Sequence, residues 1–109
     1  MNITQSKSKE VQQFTEHATG TDTVAAEYNI TRACKIASFQ FYKPSASTIT
    51  VKRRIDGDST KEILLFTNSE NFSGCVLKDI PLFQNDQILI DIDGTSGTKG
   101  FSLIMDGQF

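Results

Sequence analysis

Short apolar runs recur along the chain between turn signals, and within each run apolar positions alternate with polar or small ones. In the segment 23–30, Val24, Ala26 and Tyr28 alternate with Ala, Glu and Asn residues, and three isoleucines alternate in the same way in 87–93. Successive side chains of a β-strand point to opposite faces, so this period of two predicts strands with one buried face.

The same reading extends over most of the chain. The predicted strands occupy residues 11–17, 23–30, 35–42, 48–55, 61–67, 75–77, 87–93 and 101–105, with a bend at 79–83. For 11–17 a helix turn is the alternative, and we favour an edge strand because a Thr-Gly-Thr-Asp turn follows. Asp56-Gly57 predicts a hairpin turn, and Gly94 to Thr98 predicts a second one before the last strand. The fold class is therefore all-β: a single-domain antiparallel β-sandwich, jelly-roll-like, with about seven or eight strands.

Alternation also assigns faces within two of these strands. In 35–42 it predicts that Phe39 and Phe41 point inward and that Ile36 points outward. In 48–55 it predicts that four side chains point inward, those of Ile49, Val51, Arg53 and Ile55.

The run Ile63-Leu64-Leu65-Phe66 breaks the alternation, because it is apolar on both faces. Such a run is typical of a central strand whose two faces are both covered. The alternative is a strand whose second face is covered by a neighbouring subunit. These four residues are therefore candidates for a partner interface.

The chain has 109 residues, a formal net charge of -2 and a pI near 5.3. This length suits one domain, which we place at 11–109, and leaves no room for a second. The polar segment 1–10 predicts a flexible N-terminal arm whose anchors on a partner would be Ile3, Val11 and Phe14. The charge disfavours nucleic acid as a partner, and no apolar stretch suggests a membrane span or a secretion signal.

No group of residues suited to catalysis stands out. His17 is the single histidine and no Gly-x-Ser-x-Gly elbow exists, so we predict no enzyme and no catalytic residue. Cys34 and Cys75 lie in apolar surroundings, which favours buried free thiols over a disulfide and gives no zinc spacing. Asp91 and Asp93 share a strand face beside a glycine, but the further ligands of a calcium loop are missing. We expect neither metal nor cofactor.

Lys52-Arg53-Arg54 is the one basic run. Alternation sends Arg53 to the face opposite that of its two neighbours, so the charges cannot form one patch. We expect a solvated face with one Arg paired to a carboxylate. The eight phenylalanines fall mostly at inward strand positions, which predicts core rather than a stacking platform for bases.

Four segments between Ala37 and Phe109 carry a resemblance to a known class of proteins: Ser38-Phe39-Gln40-Phe41, Thr48 to Arg53, Asn85-Asp86-Gln87-Ile88 and Gly100 to Asp106. Over this range the chain resembles the small β-sandwich virion proteins of tailed bacteriophages. It implies a protein without an active site that decorates capsids or completes the head and neck. It also implies assembly with copies of itself, as a trimer or ring, and with other virion proteins, after synthesis in the host cytoplasm.

Two functional expectations remain open. The first is this non-enzymatic structural role in a virion, which needs exposed surfaces for self-association or lattice binding. The second is a carbohydrate- or receptor-binding sandwich, which needs exposed aromatic rings able to stack on a glycan. The candidate rings for that alternative are Tyr28, Tyr42 and Phe72.

Overall fold

The computed structural model describes the backbone of residues 9–108 and the side chains of residues 11–107. Within that part of the chain the secondary structure comprises strands and one short 3-10 turn at Ile55–Gly57. The strands are β1 (Lys9–Ala18), β2 (Val24–Asn29), β3 (Cys34–Tyr42), β4 (Ile49–Arg54), β5 (Glu62–Asn68), β6 (Gly74–Val76), β7 (Ile80–Leu82), β8 (Gln87–Ile92) and β9 (Lys99–Gln108).

The strands form two antiparallel sheets that pack against each other. The first sheet has the order β1-β9-β3, and both β6 and β7 pair with the far side of β3. The second sheet has the order β2-β8-β4-β5. The all-β class is thus confirmed, and the two-sheet arrangement is consistent with a β-sandwich. The described residues hold nine strands where we expected seven or eight, because both stretches at 74–82 pair with β3.

The core lies between the sheets and is built from the inward positions of both. Its fully buried apolar side chains are Ile36, Phe39, Ile49, Val51, Leu82, Ile88, Ile90, Ile92 and Leu103. Each such side chain contributes about 1.5–3 kcal/mol when it leaves water. An aromatic contact joins β3 to β9, since the Phe39 ring lies 5.7 Å from the Phe101 ring, and within β3 the Phe39 ring lies 6.0 Å from the Phe41 ring.

Alternation predicts the buried face correctly in β2, β8 and β9. It is wrong for Ile36, which is fully buried, because β3 carries an extra residue between Ile36 and Ser38 where it pairs with β9. Such a bulge moves the side chains on one side of it to the opposite face. Ile36 therefore lies opposite the inward Met105.

The turn at Asp56-Gly57 joins β4 to β5 as predicted. Asp56 has φ 54° and Gly57 has φ 68°, the two successive positive values that a type I′ hairpin turn requires. The prediction of a hairpin at 94–98 is wrong, because β8 lies in the second sheet and β9 lies in the first. That segment instead crosses between the sheets, as do the links from β1 to β2, β2 to β3 and β3 to β4.

One end of the molecule, the three-loop end, carries the loops at 30–33, 55–61 and 83–86. Asp86, which is 2% exposed, lies where they meet. Its carboxylate accepts hydrogen bonds from the Phe83 N–H at 3.0 Å, the Asp56 N–H at 3.2 Å and Arg53 Nε at 2.8 Å. Its carbonyl accepts one from the Ile30 N–H at 2.8 Å.

The opposite end, the four-loop end, carries the loops at 19–23, 43–48, 69–73 and 93–98. Three side chains hold them. Lys99 Nζ donates to the carbonyls of Gly20 at 3.0 Å and Asp22 at 2.6 Å, while Lys43 Nζ donates to the carbonyl of Glu70 at 2.6 Å. Asp93 accepts from Ser47 Oγ at 2.9 Å and from the N–H groups of Thr48 and Thr95 at 3.0 Å.

The predicted arm 1–10 overlaps the described structure at two residues. Lys9 and Glu10 belong to β1, where they pair with Gln108 and Gly107 of β9. The remaining eight residues, Ile3 among them, lie outside the described part of the chain.

Candidate functional site

The two stacked sheets leave two lateral edges. β1 and β2 lie together on one side, where the Phe14 and Tyr28 rings are 4.4 Å apart. β5 ends the second sheet on the other side, where its Phe66 ring lies 5.6 Å from Phe41 of the first sheet. Since an edge strand presents unpaired backbone groups to solvent, both sides are places where another chain could pair.

The β5 edge, which we define as residues 62–68, carries the apolar run. Ile63 is 43% exposed and Leu64 is 54% exposed, whereas Leu65 and Phe66 are half-buried and pack against the core. The expectation of a central strand is therefore wrong, because β5 has a described neighbour on one side alone, β4. The other expectation, a strand that a neighbouring subunit covers, stays a prediction.

A bulge explains why apolar side chains reach both faces of this strand. Val51 lies opposite Phe66 and Lys52 lies opposite Leu64, so Leu65 is an extra residue in β5. The bulge keeps both Leu65 and Phe66 toward the core and turns Leu64 outward beside Lys52. Leu65 and Phe66 therefore fix β5 against the core, while Ile63 and Leu64 remain exposed.

The β1 edge, which we define as residues 9–18, differs in composition. Val11 is the exposed apolar residue of this strand, at 65%, and Phe14 is half-buried against the core. Among the predicted anchors, the structure therefore separates Val11, which is free to contact a partner, from Phe14, which packs on Tyr28. The predicted interface residues that the structure describes thus lie on opposite sides of the molecule rather than on one surface.

A third surface, the Tyr42 groove, lies on the outer face of the first sheet. The register places His17 and Tyr42 on either side of Gly100 in β9. A Cβ atom at Gly100 would lie 2.6 Å from Tyr42 Oη and 2.8 Å from Tyr42 Cζ, so the ring lies directly against the glycine backbone. Tyr42 nonetheless remains 47% exposed.

Polar side chains line the rest of the Tyr42 groove. In the next row along the strands, Thr15 lies opposite Ser102, Ser102 opposite Gln40, and Gln40 opposite Cys75. Ser102 Oγ accepts a hydrogen bond of 2.9 Å from Gln13 Nε2. Sequence reasoning found Tyr42 but missed the groove, although a glycine inside the strand 99–108 is a known sign of close approach by another group.

The other rings proposed for glycan stacking are less accessible or otherwise occupied. Tyr28 is half-buried between Phe14 and Phe101, and burial, followed by the charge of Glu16, raises its pKa. Phe72 is 41% exposed and packs on Phe41 with the ring centroids 5.7 Å apart.

The basic run is split as predicted. Arg53 turns inward and pairs with Asp86, while Lys52 and Arg54 both reach Glu62, at 3.5 Å and 2.8 Å. The prediction that an Arg pairs with a carboxylate is confirmed for Arg53, but the expectation of one such pair is wrong, because Arg54 also pairs with a carboxylate, that of Glu62. The Arg53 guanidinium also lies over the Phe83 ring, 5.3 Å from its centroid.

The two aspartates considered for calcium have separate environments. Asp91 is exposed, whereas Asp93 is half-buried and bonded to Ser47, Thr48 and Thr95 as described above. In the described part of the chain no three His, Cys, Asp or Glu side chains are grouped so that they could hold a metal ion.

Both cysteines are free thiols. Cys34 is half-buried, and burial, together with the nearby charge of Asp86, raises its pKa. The expectation that both thiols are buried is wrong for Cys75, which is exposed on β6 because its side chain points outward beside Gln40.

Among the residues described, we found no helix that is long and apolar enough to cross a membrane.

We compared the chain with protein-family models, curated proteins and solved structures, and none of them matches it.

Proposed function

We propose that the chain is a non-enzymatic structural protein of a bacteriophage virion, a capsid decoration or head-completion component, that assembles by pairing its two lateral edges. The observation that carries this proposal is the exposed apolar run on the β5 edge, where Ile63 and Leu64 face solvent beside unpaired backbone groups. An edge strand of this kind is a template for pairing with another chain.

The strand pairing supports a jelly roll. Four antiparallel pairs nest along the chain: β1 with β9, β2 with β8, β3 with β6 and β7, and β4 with β5. If β6 and β7 count as one interrupted strand, this is the pairing of an eight-stranded jelly roll. Jelly rolls build many viral capsid domains, and they also build lectins, so the topology favours both functional classes.

The position of the two edges favours a ring. A contact between the β5 edge of one copy and the β1 edge of the next joins two different surfaces, so each copy keeps one free edge for a further neighbour. Such a head-to-tail contact closes into a trimer or larger ring when the rotation between copies allows it. This arrangement uses Val11 and Leu64, the most exposed apolar residue of each edge.

Light scattering across about a hundredfold range of concentration tests the self-association. Since the chain has a mass of 12.1 kDa, a trimer would have about 36 kDa, three times that value. A mass of 12.1 kDa at every concentration would contradict assembly through these edges.

Two charge substitutions test the geometry. Leu64→Lys and Val11→Lys each place a charge on one exposed edge position, and each should reduce the protein to monomers. Mixing the two variants should give a dimer and nothing larger, because one variant keeps an intact β5 edge and the other an intact β1 edge. Ser96→Lys, at an exposed position in the loop at 93–98 and outside both edge strands, is the matched control and should assemble normally.

The mixing result also separates this contact from a symmetric one. If β5 paired with β5 of a second copy, Val11→Lys alone would form a dimer and mixing would add nothing. That result would contradict the head-to-tail arrangement.

The place in a virion has its own test. Immunogold electron microscopy on virions from cells that encode the chain should label the capsid surface or the neck. Unlabelled virions alongside free protein in the lysate would remove the virion assignment, whatever the outcome of the light scattering.

A further inference from the structure

Tyr42 forms an aromatic platform at one end of the groove on the first sheet. Its ring lies on the Gly100 backbone, since a Cβ atom there would be only 2.6 Å from the hydroxyl oxygen. This contact with the sheet at the hydroxyl end of the ring restricts its movement, while 47% of the side chain remains exposed. A ring fixed in this way can stack on a ligand without first losing much conformational freedom.

Hydrogen-bonding groups stand beside this platform in a regular row. Thr15, Ser102 and Gln40 are direct neighbours across three strands. Side chains at such positions are about 5 Å apart, and Gln40 precedes Tyr42 by two residues, a step of about 7 Å along the strand. Two hydroxyls and one amide are therefore within reach of a ligand that covers the ring.

The groove is poor in charge. Among the described residues that line it, Glu16 is the one carboxylate, and alternation along β1 turns its side chain to the same side as Phe14, toward Tyr28. The row of Thr15, Ser102 and Gln40 bears no charge at all. His17 also lines the groove, on the other side of Gly100 from Tyr42. The uncharged row of donors and acceptors complements an uncharged ligand with many hydroxyl groups, because an ionic group placed on that row would lose water without gaining a partner of opposite charge.

We infer that the Tyr42 groove binds a neutral saccharide, with one sugar ring stacked on Tyr42 and its hydroxyl groups bonded to Gln40 and Ser102. This goes beyond the assembly role. Edge pairing extends a sheet sideways and leaves its outer face open, so the groove can act in the assembled protein.

The test is an NMR titration of the ¹⁵N-labelled full-length protein with maltotriose, cellotriose and chitotriose as neutral probes. At least one of them should shift the amide signals of residues 40–42 and 100–102. Sialyllactose serves as the anionic probe and should shift none. No shift with any neutral probe, or shifts with sialyllactose alone, would overturn the inference.

Substitutions locate the site. Tyr42→Ala should weaken binding by about tenfold or more, whereas Tyr42→Phe keeps the ring and should weaken it by about threefold or less. Gln40→Ala, at an exposed position, should reduce affinity without affecting the fold. Phe83→Ala removes an exposed ring far from the groove and is the matched control. Equal affinity in Tyr42→Ala and the unmodified protein would contradict the assignment of the saccharide site to Tyr42.

The assembly test remains independent of this one. Tyr42→Ala should give the same mass in light scattering as the unmodified chain, while Leu64→Lys should lose assembly and still bind the saccharide. Loss of both properties in Leu64→Lys would show that the groove is complete only between copies, which contradicts a site within one chain.

Discussion

The two ends of the molecule hold their loops in different ways. At the three-loop end a single residue, Asp86, is bonded to all three loops. Its carboxylate accepts from Asp56, Phe83 and Arg53, and its backbone carbonyl accepts from Ile30. At the four-loop end the same task is divided among Lys43, Asp93 and Lys99, each of which bonds one or two loops. One end therefore concentrates its polar contacts in one residue, and the other distributes them.

Because of this difference, a single substitution should reduce stability by different amounts at the two ends. Buried polar groups cost free energy when they lose a partner, so the loss from one substitution depends on how many partners are left unpaired. Removing Asp86 frees two backbone N–H groups and one guanidinium. Removing any one of the three residues at the other end leaves the contacts of the remaining two in place.

Asp86→Ala should have the largest effect on stability. It leaves Arg53 without its carboxylate at a largely buried position, and breaking a buried pair from one side costs about 3–5 kcal/mol. Urea unfolding followed by circular dichroism measures the loss. Asp91→Ala, at an exposed position on β8, is the control and should change the free energy of unfolding by about 0.5 kcal/mol or less.

Asp86→Asn covers the case in which the alanine variant fails to fold. The amide keeps an acceptor for one backbone N–H but loses the charge that pairs with Arg53. We expect a loss intermediate between those of Asp86→Ala and Asp91→Ala. If Asp86→Ala cost no more than Asp91→Ala, the loops at 55–61 and 83–86 would not depend on the Asp86 carboxylate and the contrast between the ends would disappear.

Asp93→Asn should have a smaller effect that depends on pH. Hydrogen bonds from Thr95, its backbone N–H first, and from Thr48 and Ser47 outweigh burial and hold the pKa of Asp93 well below its ordinary value. A carboxylate with a depressed pKa stabilises the folded state above the pKa of the unfolded chain, about 3.9, and this contribution is lost as pH falls through the folded pKa.

The measurement is urea unfolding of both proteins between pH 7 and pH 2. At pH 7 the variant should be less stable by about 1–3 kcal/mol, the cost expected for hydrogen bonds to a charged group. The gap should narrow as the pH falls below about 4. Asp86 also has a pKa below its ordinary value, because its hydrogen bonds outweigh burial, so the variant keeps some acid sensitivity. A gap independent of pH would mean that the charge of Asp93 does not matter.

The strands themselves follow from the sequence because their burial alternates with a period of two, as β2 and β8 show. Two details do not follow from that period. A bulge in β3 buried Ile36, and the partner of β9 proved to be β1 and β3 rather than β8. Both depend on pairing between residues far apart in the chain, which no local pattern encodes.

The candidate surfaces also differ in how far the sequence predicts them. The sequence alone identifies the apolar run at 63–66 as a candidate interface, because four successive apolar residues cannot all face one core, but it does not place the run at an edge of the sheet. The Tyr42 groove requires the register that brings Tyr42 onto Gly100, and these residues are separated by most of the second half of the chain. The role of Asp86 could not be predicted from the sequence either, because its side-chain partners come from β4 and from two loops that lie far apart in the chain.

Lys99→Met should have the smallest effect on global stability and the most local one. Lys99 is fully buried and bonds the carbonyls of Gly20 and Asp22, but those residues lie in an exposed loop where water can replace the lost donor. The long apolar stem is preserved, so we expect a loss of about 1 kcal/mol. Hydrogen exchange should become faster in residues 19–24 and stay unchanged at the three-loop end. Faster exchange throughout the chain would contradict the contrast, because it would show that the four-loop end also depends on a single residue.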